Sequence, residues 1–336
     1  MEKVRIGIVG LGGFAERHLA AWASLGDVEV AAACSRSRAR VEEIGARFGI
    51  RRLYTDLDEM LAKAPITAVD VVTAAHQHAG PALAALDAGK HVLVETPMAI
   101  RLEDADRMLA LASAKRLILT VDHVLRFDPR YVMARERIAS GEAGKLGSIY
   151  SWRSHGQQYF SNYVVGAPLL GAMVHDVDLV LWYAGQKVQR LSAYGGRALG
   201  GPAADTLWAK LEFENGAIGV VQCSWLNPPG APNHNDCGLE IRGARATIQV
   251  RDPDRGVSVW TQERAINPFG VTWGSAYGRL MGPLKEQLAY FAARVRGDAL
   301  PEIQPPGEAR EALQVSLAAL NQLEEAGVPT GLRAGQ

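Results

Sequence analysis

The sequence predicts an α/β fold, in which an N-terminal doubly wound parallel sheet is followed by an α+β part built on a large, mostly antiparallel, open sheet. Up to about residue 124, apolar strand patterns alternate with helical patterns, which is typical of parallel βαβ units with helices on both faces. Beyond that point, short strand-like stretches and turn signals dominate. A chain of 336 residues, 48% of them hydrophobic, has enough material for two cores. We therefore expect two domains, residues 1–124 and 125–336.

Each predicted strand of the first domain is a short apolar run, and several of the helical stretches between them stop at glycine. Gly26, Gly49 and Gly89 are such stops, because glycine adopts the left-handed conformation that ends many helices. The predicted strands are Val4–Val9, Val28–Cys34, Ala68–Thr73, His91–Val94 and Leu117–Val121. The predicted helices are Ala15–Leu25, Ser37–Phe48, Asp56–Ala62, Gly80–Ala88 and Leu102–Ala114.

The second domain combines many short strands with a few helices. Glu214-Asn-Gly216 is a strong hairpin signal, because Asn-Gly favours the tight turns that join antiparallel strands. The predicted strands are Gly147–His155, Gln189–Gly195, Asp205–Phe213, Gly216–Trp225, Gly238–Arg242, Ala246–Arg251 and Gly256–Gln262. The predicted helices are Arg130–Ser140, Val174–Tyr183, Leu284–Arg296 and Glu308–Glu325, and residues 301–306 form a connecting loop.

Charge and cysteine content limit the classes of partner and compartment. Lys plus Arg and Asp plus Glu are both 36, so the net charge is zero and neither nucleic acid nor an anionic membrane is expected as a partner. Three widely spaced cysteines fit neither a disulfide framework nor a zinc site, which favours a reducing cytoplasm. The sequence shows no signal peptide and no apolar run long enough to span a bilayer.

Residues Val4 to Ala15 carry the most informative pattern of the chain. A predicted strand runs into Gly10-Leu-Gly12-Gly-Phe-Ala15, and a predicted helix follows, as in the dinucleotide-binding fingerprint. Gly10 permits the tight turn, Gly12 lets backbone N–H groups approach a pyrophosphate, and Ala15 lets the helix pack closely on the strand. The helix N-terminus favours the phosphate charge. We expect a Rossmann site that includes Gly10, Gly12, Gly13, Phe14 and Ala15.

The end of the second strand indicates which nicotinamide cofactor is preferred. An acidic residue at this place would hydrogen-bond the ribose hydroxyls of NAD, but Ser35 and Arg36 stand there, with Arg38 close by. Guanidinium groups suit a ribose 2′-phosphate, because they present a planar fork that is always charged. We therefore expect a preference for NADP(H) over NAD. The alternative is a solvated basic start of a helix.

Several motifs together resemble the glucose–fructose oxidoreductase / inositol dehydrogenase (Gfo/Idh/MocA) family. They are Thr73-Ala-Ala-His-Gln-His78, Ala85-Leu-Asp-Ala-Gly-Lys-His-Val-Leu-Val-Glu95-Thr96-Pro97, Arg126-Phe-Asp-Pro129, Gly144-Lys-Leu-Gly147, His175-Asp-Val-Asp178 and Glu212-Phe-Glu-Asn-Gly216. The resemblance implies hydride transfer between NAD(P) and a carbon that bears a hydroxyl, usually on a sugar or cyclitol. It also implies that the following residues lie at the cofactor: Thr73, Ala74, His78, Glu95, Thr96, Pro97 and Arg126.

The catalytic positions depart from the family pattern. The family holds a Lys beside the reacting oxygen, and this chain has Thr96 there; the Asp four residues before His175 is replaced by Gly171. Losing a charged donor aimed at a developing oxyanion costs about 2.7–4 kcal/mol, so the usual alcohol chemistry should be slow unless another group substitutes. His175 is the expected acid/base, because an unperturbed imidazole titrates near neutral pH, and Thr96 and Tyr163 are further catalytic residues. The alternative for His175 is a histidine in the first turn of a helix that is hydrogen-bonded in the core.

Other polar residues are weaker candidates. His155, Tyr159, Asp122 and His123 are additional donors for the cleft, each more often structural than catalytic. His76-Gln-His78 would suit a metal, but no Cys or acidic residue lies at a recognised ligand spacing, so no metal is expected.

Two alternatives to a sugar or cyclitol oxidoreductase remain open. Loss of the Lys and the Asp is compatible with a non-catalytic NADP-binding sensor or subunit, and Val92-Leu-Val-Glu95-Thr-Pro97-Met98 resembles the corresponding segment of biliverdin reductases. The partners expected are a small-molecule substrate and a second copy of the chain. The resemblance implies a homodimer or homotetramer formed through the open face of the C-terminal sheet, where Trp208 and Trp225 lie on alternating strands. The alternative is that both tryptophans are core residues.

Overall fold

The computed structural model describes the backbone of residues 3–163, 168–231, 235–252, 259–260, 265–266, 274–276 and 279–332. The chain divides into two compact units. The first consists of Met1–Phe127 and Thr272–Arg310, and the second consists of Asp128–Val271 and Glu311–Gln336. Residues 272–310 therefore return to the first unit, a crossing that the expected division at residue 124 does not include.

The first unit contains a six-stranded parallel sheet with the strand order β3-β2-β1-β4-β5-β6. Its strands are β1 (Val4–Val9), β2 (Val28–Cys34), β3 (Arg52–Tyr54), β4 (Ala68–Val71), β5 (His91–Val94) and β6 (Leu119–Val121). Its helices are α1 (Ala15–Ala23), α2 (Arg38–Phe48), α3 (Leu57–Lys63), α4 (Ala79–Asp87), α5 (Leu102–Lys115) and α8 (Pro283–Arg296). This confirms the predicted doubly wound sheet and adds one edge strand, β3.

Helix α8 explains why residues 272–310 belong to the first unit. Leu284, Leu288 and Phe291 are fully buried in one apolar cluster with Ile6 and Trp22. The rings of Phe291 and Trp22 meet edge to face, with centroids 6.4 Å apart. Burying these side chains removes apolar surface from water, so α8 completes a core that the first 127 residues leave open on one side.

The second unit contains a six-stranded mixed sheet with the order β12-β11-β7-β10-β9-β8, in which only β7 and β10 run parallel. Its strands are β7 (Leu146–Gly156), β8 (Val188–Gly196), β9 (Thr206–Phe213), β10 (Ile218–Asn227), β11 (Asn235–Gly243) and β12 (Thr247–Asp252). Its helices are α6 (Pro129–Ala139), α7 (Pro168–Ala184) and, from residue 311 on, α9 (Pro306–Glu325). Two short ladders complete the described elements, β13 (Val259–Trp260) with β14 (Ala265–Ile266), and β15 (Gly274–Ala276) with β16 (Arg279–Met281).

One face of this sheet is buried and the other is open. Along β9, Leu207 and Leu211 are fully buried, whereas Trp208 and Lys210 point to the opposite, exposed face. Helix α7 packs on β7 and β10 and covers the buried face. The predicted large, mostly antiparallel, open sheet is therefore confirmed.

Most predicted elements recur with shifted ends. Helix α7 starts at Pro168 rather than at Val174, because residues 168–173 are almost as buried as the helix that follows. The predicted strand at 256–262 falls largely outside the described residues, which include only residues 259–260 of it. Among the described helices, none is long and apolar enough to cross a membrane.

Candidate active site

The turn after β1 has the backbone that the glycine pattern predicts. Gly10 has φ +90°, and a Cβ there would lie 2.7 Å from the backbone of Val72 and Thr73. Its N–H donates to the Cys34 carbonyl at 3.0 Å, which ties the turn to the end of β2. Only glycine fits this position without strain, since it tolerates a positive φ and has no Cβ to clash.

The next two glycines leave space in front of α1. A Cβ on Gly12 or Gly13 would have no heavy atom within 4 Å, so the backbone there is open to a ligand. Ala15, the first residue of α1, is fully buried, which lets the helix N-terminus lie close to the strand. Phe14 packs edge to face on His18, with centroids 5.3 Å apart. An open glycine backbone before a helix N-terminus fits a dinucleotide pyrophosphate.

Arg40 stabilises this loop, and the sequence reasoning missed it. Its Nε donates to the Leu11 carbonyl at 2.7 Å, and Nη2 pairs with Glu16 at 2.7 Å. The hydrogen bond from Arg40 lowers the pKa of Glu16, so this carboxylate at the start of α1 is paired. Arg40 thus joins α2 to the glycine loop and offsets an acidic charge near the expected phosphates. Arg40 and Glu16 are 24 residues apart in the sequence, so no local sequence pattern predicts their contact.

The residues expected at the ribose lie between β2 and α2. Ser37 caps α2 by accepting the Arg40 N–H at 3.3 Å, and the Ser35 hydroxyl accepts the Ser37 N–H at 3.4 Å. Arg38 is exposed but already pairs with Glu42 at 2.6 Å. Arg36 is exposed, and within the described part of the chain no hydrogen bond or ion pair engages its guanidinium. Of the two predicted arginines, Arg36 is therefore the one available for a ligand.

His78 links two loops that follow neighbouring strands. One ring nitrogen lies 2.7 Å from the Pro97 carbonyl and the other 2.9 Å from the Thr73 carbonyl, and the side chain is 1% exposed. Burial lowers the pKa of His78. A side chain engaged in this way positions the segments around Thr73 and Pro97, rather than reaching out to a ligand. The Thr73 hydroxyl is buried and has no hydrogen-bond partner among the described residues, and Ala74 is exposed beside it.

Glu95 and Asp122 directly follow β5 and β6 and face His18 of α1. His18 Nδ1 lies 2.9 Å from Asp70 Oδ2, and His18 Nε2 lies 2.8 Å from Glu95 Oε1 and 3.4 Å from Asp122 Oδ2. Trp22 Nε1 also donates to Asp70 Oδ2, at 2.7 Å. We call His18, Asp70, Glu95 and Asp122 the His18 network. Sequence reasoning assigned Glu95 to the cofactor but did not find the network, although its acidic members lie on or directly after three adjacent strands.

The His18 network contacts the segment Glu95-Thr96-Pro97 through a hydrogen bond from the backbone. The Thr96 N–H donates to Glu95 Oε2 at 3.0 Å, so the orientation of the Glu95 carboxyl sets the start of the segment Glu95-Thr96-Pro97. Donor atoms of His18, Glu95 and Asp122 all lie within 4.8 Å of one another, a spacing that a metal could also use. The 2.8 Å contact between His18 Nε2 and Glu95 Oε1 is, however, of ordinary hydrogen-bond length, so these two groups pair without an ion.

Arg126, expected near the nicotinamide, is buried and engaged within the first unit. Its Nη1 pairs with Glu308 and donates to the Ile303 carbonyl at 3.3 Å. These contacts anchor Ile303, just before α9, and Glu308, in its first turn. Arg126 is 3% exposed, so in this structure its guanidinium serves the packing of that segment.

His175 lies in the second unit, on α7. Its neighbours Val174 and Asp176 are buried, as are residues 177–180, whereas His175 and Gly171, one turn earlier, are half-buried. Among the described residues, no heavy atom lies within 4 Å of the place that a Cβ at position 171 would take. Because residues four apart share one face of a helix, the imidazole and the open space at Gly171 lie side by side.

The rotation of α7 is fixed by a buried ion pair. Asp176 accepts hydrogen bonds from the Ser151 hydroxyl at 2.5 Å and from Arg153 Nε at 2.6 Å, both on β7. Arg153 Nη1 also contacts the Cys237 sulfur at 3.5 Å. Burial alone would lower the pKa of Arg153, but the charge of Asp176 raises it well above its ordinary value. Asp176 therefore faces the sheet, which turns the neighbouring His175 away from it.

The remaining candidate donors have separate surroundings. His155 Nδ1 donates to Asn235 Oδ1 at 2.7 Å, and its ring packs against Trp225. Burial lowers the pKa of His155 to about 4, so it is neutral at pH 7. Asp122 and His123 are buried in the first unit, and Tyr159 is exposed. The side chain of Tyr163 lies outside the described residues.

The two tryptophans expected at a subunit interface differ in exposure. Trp208 is 47% exposed on the open face of the sheet, beside Tyr194, which is 73% exposed. Trp225 is only 5% exposed and donates to the Pro168 carbonyl at 3.3 Å. The expectation for Trp225 is therefore wrong: its side chain points into the second unit, because it lies in the part of β10 that α7 covers.

Two family models match this chain. Residues 4–123 match the oxidoreductase family with an NAD-binding Rossmann fold (GFO_IDH_MocA), and residues 131–249 match the GFO/IDH/MocA C-terminal domain. The matched segments together cover more than half of the sequence and fall one in each unit.

Individual relatives agree with that assignment. The 4-carboxy-2-hydroxymuconate-6-semialdehyde dehydrogenase of Sphingobium is 30% identical over 241 residues, 67% of this chain and 73% of that protein. The myo-inositol 2-dehydrogenase of Thermotoga maritima is 26% identical over 334 residues, 96% of this chain and 97% of that protein. The scyllo-inositol dehydrogenase of Lactobacillus casei, solved with NAD(H) and scyllo-inositol, has the same fold, with a TM-score of 0.80 at 20% identity, over 97% of this chain and 98% of that one. The chain belongs to the GFO/IDH/MocA family and is an NAD(P)-dependent oxidoreductase that acts on CH–OH groups.

Proposed function

We propose that this protein transfers a hydride between NADP(H) and a small polar hydroxy or keto compound, with an acid/base set that differs from the family pattern. The observation that carries the cofactor preference is Arg36, an exposed guanidinium without a partner among the described residues, at the end of β2. It stands where an acidic residue would select NAD. The open backbone at Gly12 supports dinucleotide binding at the same edge of the sheet.

Replacing Arg36 by Ala is expected to weaken NADPH binding about 10- to 100-fold and to leave NADH binding nearly unchanged. The reason is the loss of a charge-assisted hydrogen bond to the 2′-phosphate, about 1.5–3 kcal/mol. Fluorescence titration of both nucleotides measures the effect. Arg51→Ala, which removes another exposed cation of the first unit, is the matched control and should change neither affinity. Equal NADPH affinity in wild type and Arg36→Ala would refute the NADP assignment.

The chemistry proposed for the chain's own residues follows from their charges. When bound, NADP(H) supplies or accepts the hydride. His175 gives or takes the proton of the reacting hydroxyl, a role that an imidazole fills near neutral pH. Thr96 offers one neutral hydrogen bond where a Lys would offer a charge. This combination favours a substrate whose hydroxyl or carbonyl needs little additional stabilisation of negative charge.

The relatives indicate two substrate classes for a first test. Two are named for inositols, and one is named for a carboxylated hydroxymuconate semialdehyde. We propose that this chain acts on a member of the wider set of sugars, cyclitols and related hydroxy or keto compounds. Tyr163 stays in the proposal as a further donor to the substrate.

A turnover panel with a matched variant separates an enzyme from a binding-only protein. We expect wild type to turn over at least one of the sugars, ketoses, cyclitols and bilins with NADP(H), and Thr96→Lys to raise sugar or cyclitol turnover about 100-fold or more, since the ammonium restores an oxyanion donor. The readout is absorbance of the reduced nicotinamide. Tight NADPH binding without turnover in either protein would favour the sensor, and turnover of bilins alone would favour the bilin-type reductase.

We also propose that two or four copies associate through the open face of the second unit. Tyr194, Trp208 and Ile218 are exposed there, and Tyr194 pairs directly with Trp208 across β8 and β9. The ring of Tyr150 stacks on Trp208, with centroids 6.1 Å apart. A continuous exposed aromatic patch on a sheet is typical of an interface.

A cytoplasmic location also stays a proposal, supported by three buried free cysteines.

A further inference from the structure

The His18 network holds more acceptor oxygens than its visible donors can satisfy. Both ring nitrogens of His18 face carboxylate oxygens, at 2.9 Å on one side and at 2.8 and 3.4 Å on the other. A neutral imidazole carries only one N–H, so the arrangement requires the doubly protonated cation. The shift in the pKa of His18 has the same direction: burial alone lowers it, but the charge of Asp70 and the hydrogen bonds that His18 donates to Asp122, Asp70 and Glu95 raise it well above 6.5.

One imidazolium does not balance three carboxyl groups. His18 Nδ1 and Trp22 Nε1 both pair with Asp70 Oδ2, while Asp70 Oδ1 is buried without a hydrogen-bond partner among the described residues. Glu95 and Asp122 are left as two carboxyl groups with side chains 14% and 2% exposed, and with oxygens within 4.8 Å of each other. Two like charges so close and so buried do not both persist, so one of the two groups takes up a proton.

We propose that Glu95 and Asp122 share one buried proton and, with the His18 imidazolium, form a positioning device for Thr96. The shared proton joins the ends of β5 and β6, and Glu95 Oε2 then holds the Thr96 N–H at 3.0 Å. Loss of that proton would place two anions side by side and displace the segment Glu95-Thr96-Pro97. The idea rests on the proposed function only for the role of Thr96, since the proton itself can be measured without turnover.

The electrostatics of the pair agree with a single proton. Burial, then the charge of Asp122, raises the pKa of Glu95 well above its usual range. Burial acts in the same direction on Asp122, but hydrogen bonds from Glu95 and His18 lower the pKa of Asp122. The other titratable groups that face the pair are Asp70 on β4, His123 beside Asp122, and His78, which lies near the Glu95 backbone.

The sign of the pH effect follows from the raised pKa. A carboxyl group that holds its proton more tightly in the folded protein than in the unfolded chain makes stability fall as pH rises from about 4.3 to its folded pKa. An amide in place of either carboxyl mimics the protonated partner and cannot ionise. The melting temperatures of Glu95→Gln and Asp122→Asn should therefore rise relative to that of wild type as the pH increases from about 4.3 to the folded pKa. The expected change is about 3–5 °C per pH unit.

The experiment measures the melting temperatures of wild type, Glu95→Gln, Asp122→Asn and the double variant from pH 5 to 8.5. The double variant leaves the His18 imidazolium facing two neutral amides and should melt below both single variants. Tyr183→Phe, which removes a buried hydrogen bond to the Tyr131 carbonyl, is the control and should lower the melting temperature equally at every pH. Infrared spectra should show a protonated carboxyl band in wild type that either single variant lacks.

The proposal would be overturned if the differences in melting temperature between each single variant and wild type did not change between pH 5 and 8.5. A protonated carboxyl band that persists in both single variants would also overturn it. Stoichiometric metal in the purified protein would overturn it as well, because an ion would then replace the proton. If the melting and infrared results are as expected but the protein turns over no substrate, the shared proton stands and only its role in turnover is refuted. The two failures are therefore distinguishable.

Discussion

Replacing His175 by Asn lowers kcat/KM for any substrate of this enzyme by an expected factor of about 10²–10⁴. His175 is the half-buried residue in a run of buried neighbours on α7, and position 171, one turn earlier, is a glycine rather than an acidic residue. Position 96 is Thr rather than Lys, so no ammonium group there assists the proton transfer. A positioned group that transfers a proton contributes about this factor, and Asn cannot take up or release a proton near neutral pH. Initial rates of nicotinamide oxidation or reduction across pH 5–9 provide the measurement.

Two further measurements keep this result interpretable. NADPH affinity and melting temperature should stay close to wild type in His175→Asn, because the side chain is half-exposed and Asn is smaller. The part of the pH–rate profile that reflects an imidazole should also disappear. A rate within about threefold of wild type would show that another group transfers the proton and would remove His175 from the mechanism.

Replacing Asp176 by Asn destabilises the protein by an expected 3–5 kcal/mol, that is, by about the cost of breaking a buried ion pair from one side. The substitution leaves the Arg153 guanidinium buried, with its Nε facing a neutral amide instead of a carboxylate at 2.6 Å. Since Asp176 also anchors α7 to β7, the change should loosen the helix that carries His175. Urea unfolding monitored by tryptophan fluorescence measures the loss, and kcat should fall in the same variant.

Ser151→Ala is the matched comparison for this pair. It removes the hydrogen bond of 2.5 Å to the same carboxylate but leaves both charges in place, so a smaller loss of about 1.5–3 kcal/mol is expected. The double variant Arg153→Met/Asp176→Leu removes both charges and should recover part of the stability, because the desolvation of two ions no longer opposes folding. Equal losses in Asp176→Asn and Ser151→Ala would show that the ion pair is not what fixes α7.

Features carried by neighbouring residues are the ones the sequence predicts well. The turn at Gly10, the parallel strands of the first unit and the alternating burial of β9 all follow from patterns a few residues long. Strand β3 was missed because it has only three residues and pairs with β2 alone. The early start of α7 was missed because its first turn is apolar all round and lacks an amphipathic stripe.

The residues of the candidate site fall into two groups: those predicted from a sequence motif and those that only the structure brings together. Arg36 and His175 were found from their place in a motif, and the structure shows the first exposed and the second half-buried. The His18 network was not found, because His18, Asp70, Glu95 and Asp122 are separated by up to about a hundred residues. The only available signal was that Glu95 and Asp122 each follow a buried strand, and carboxyl ends of parallel strands meet at one edge of a sheet.

By itself, the sequence determined the family, the doubly wound sheet and the glycine turn, because each depends on residue identity or on periodicity along the chain. Only the tertiary structure decided that residues 272–310 complete the first unit, that Arg126 serves packing, and that Trp225 is buried while Trp208 is exposed. It also decided which carboxyl groups meet at His18. Contacts between distant residues form when strands and helices bury their apolar faces, and local patterns do not encode which distant side chains then share the space.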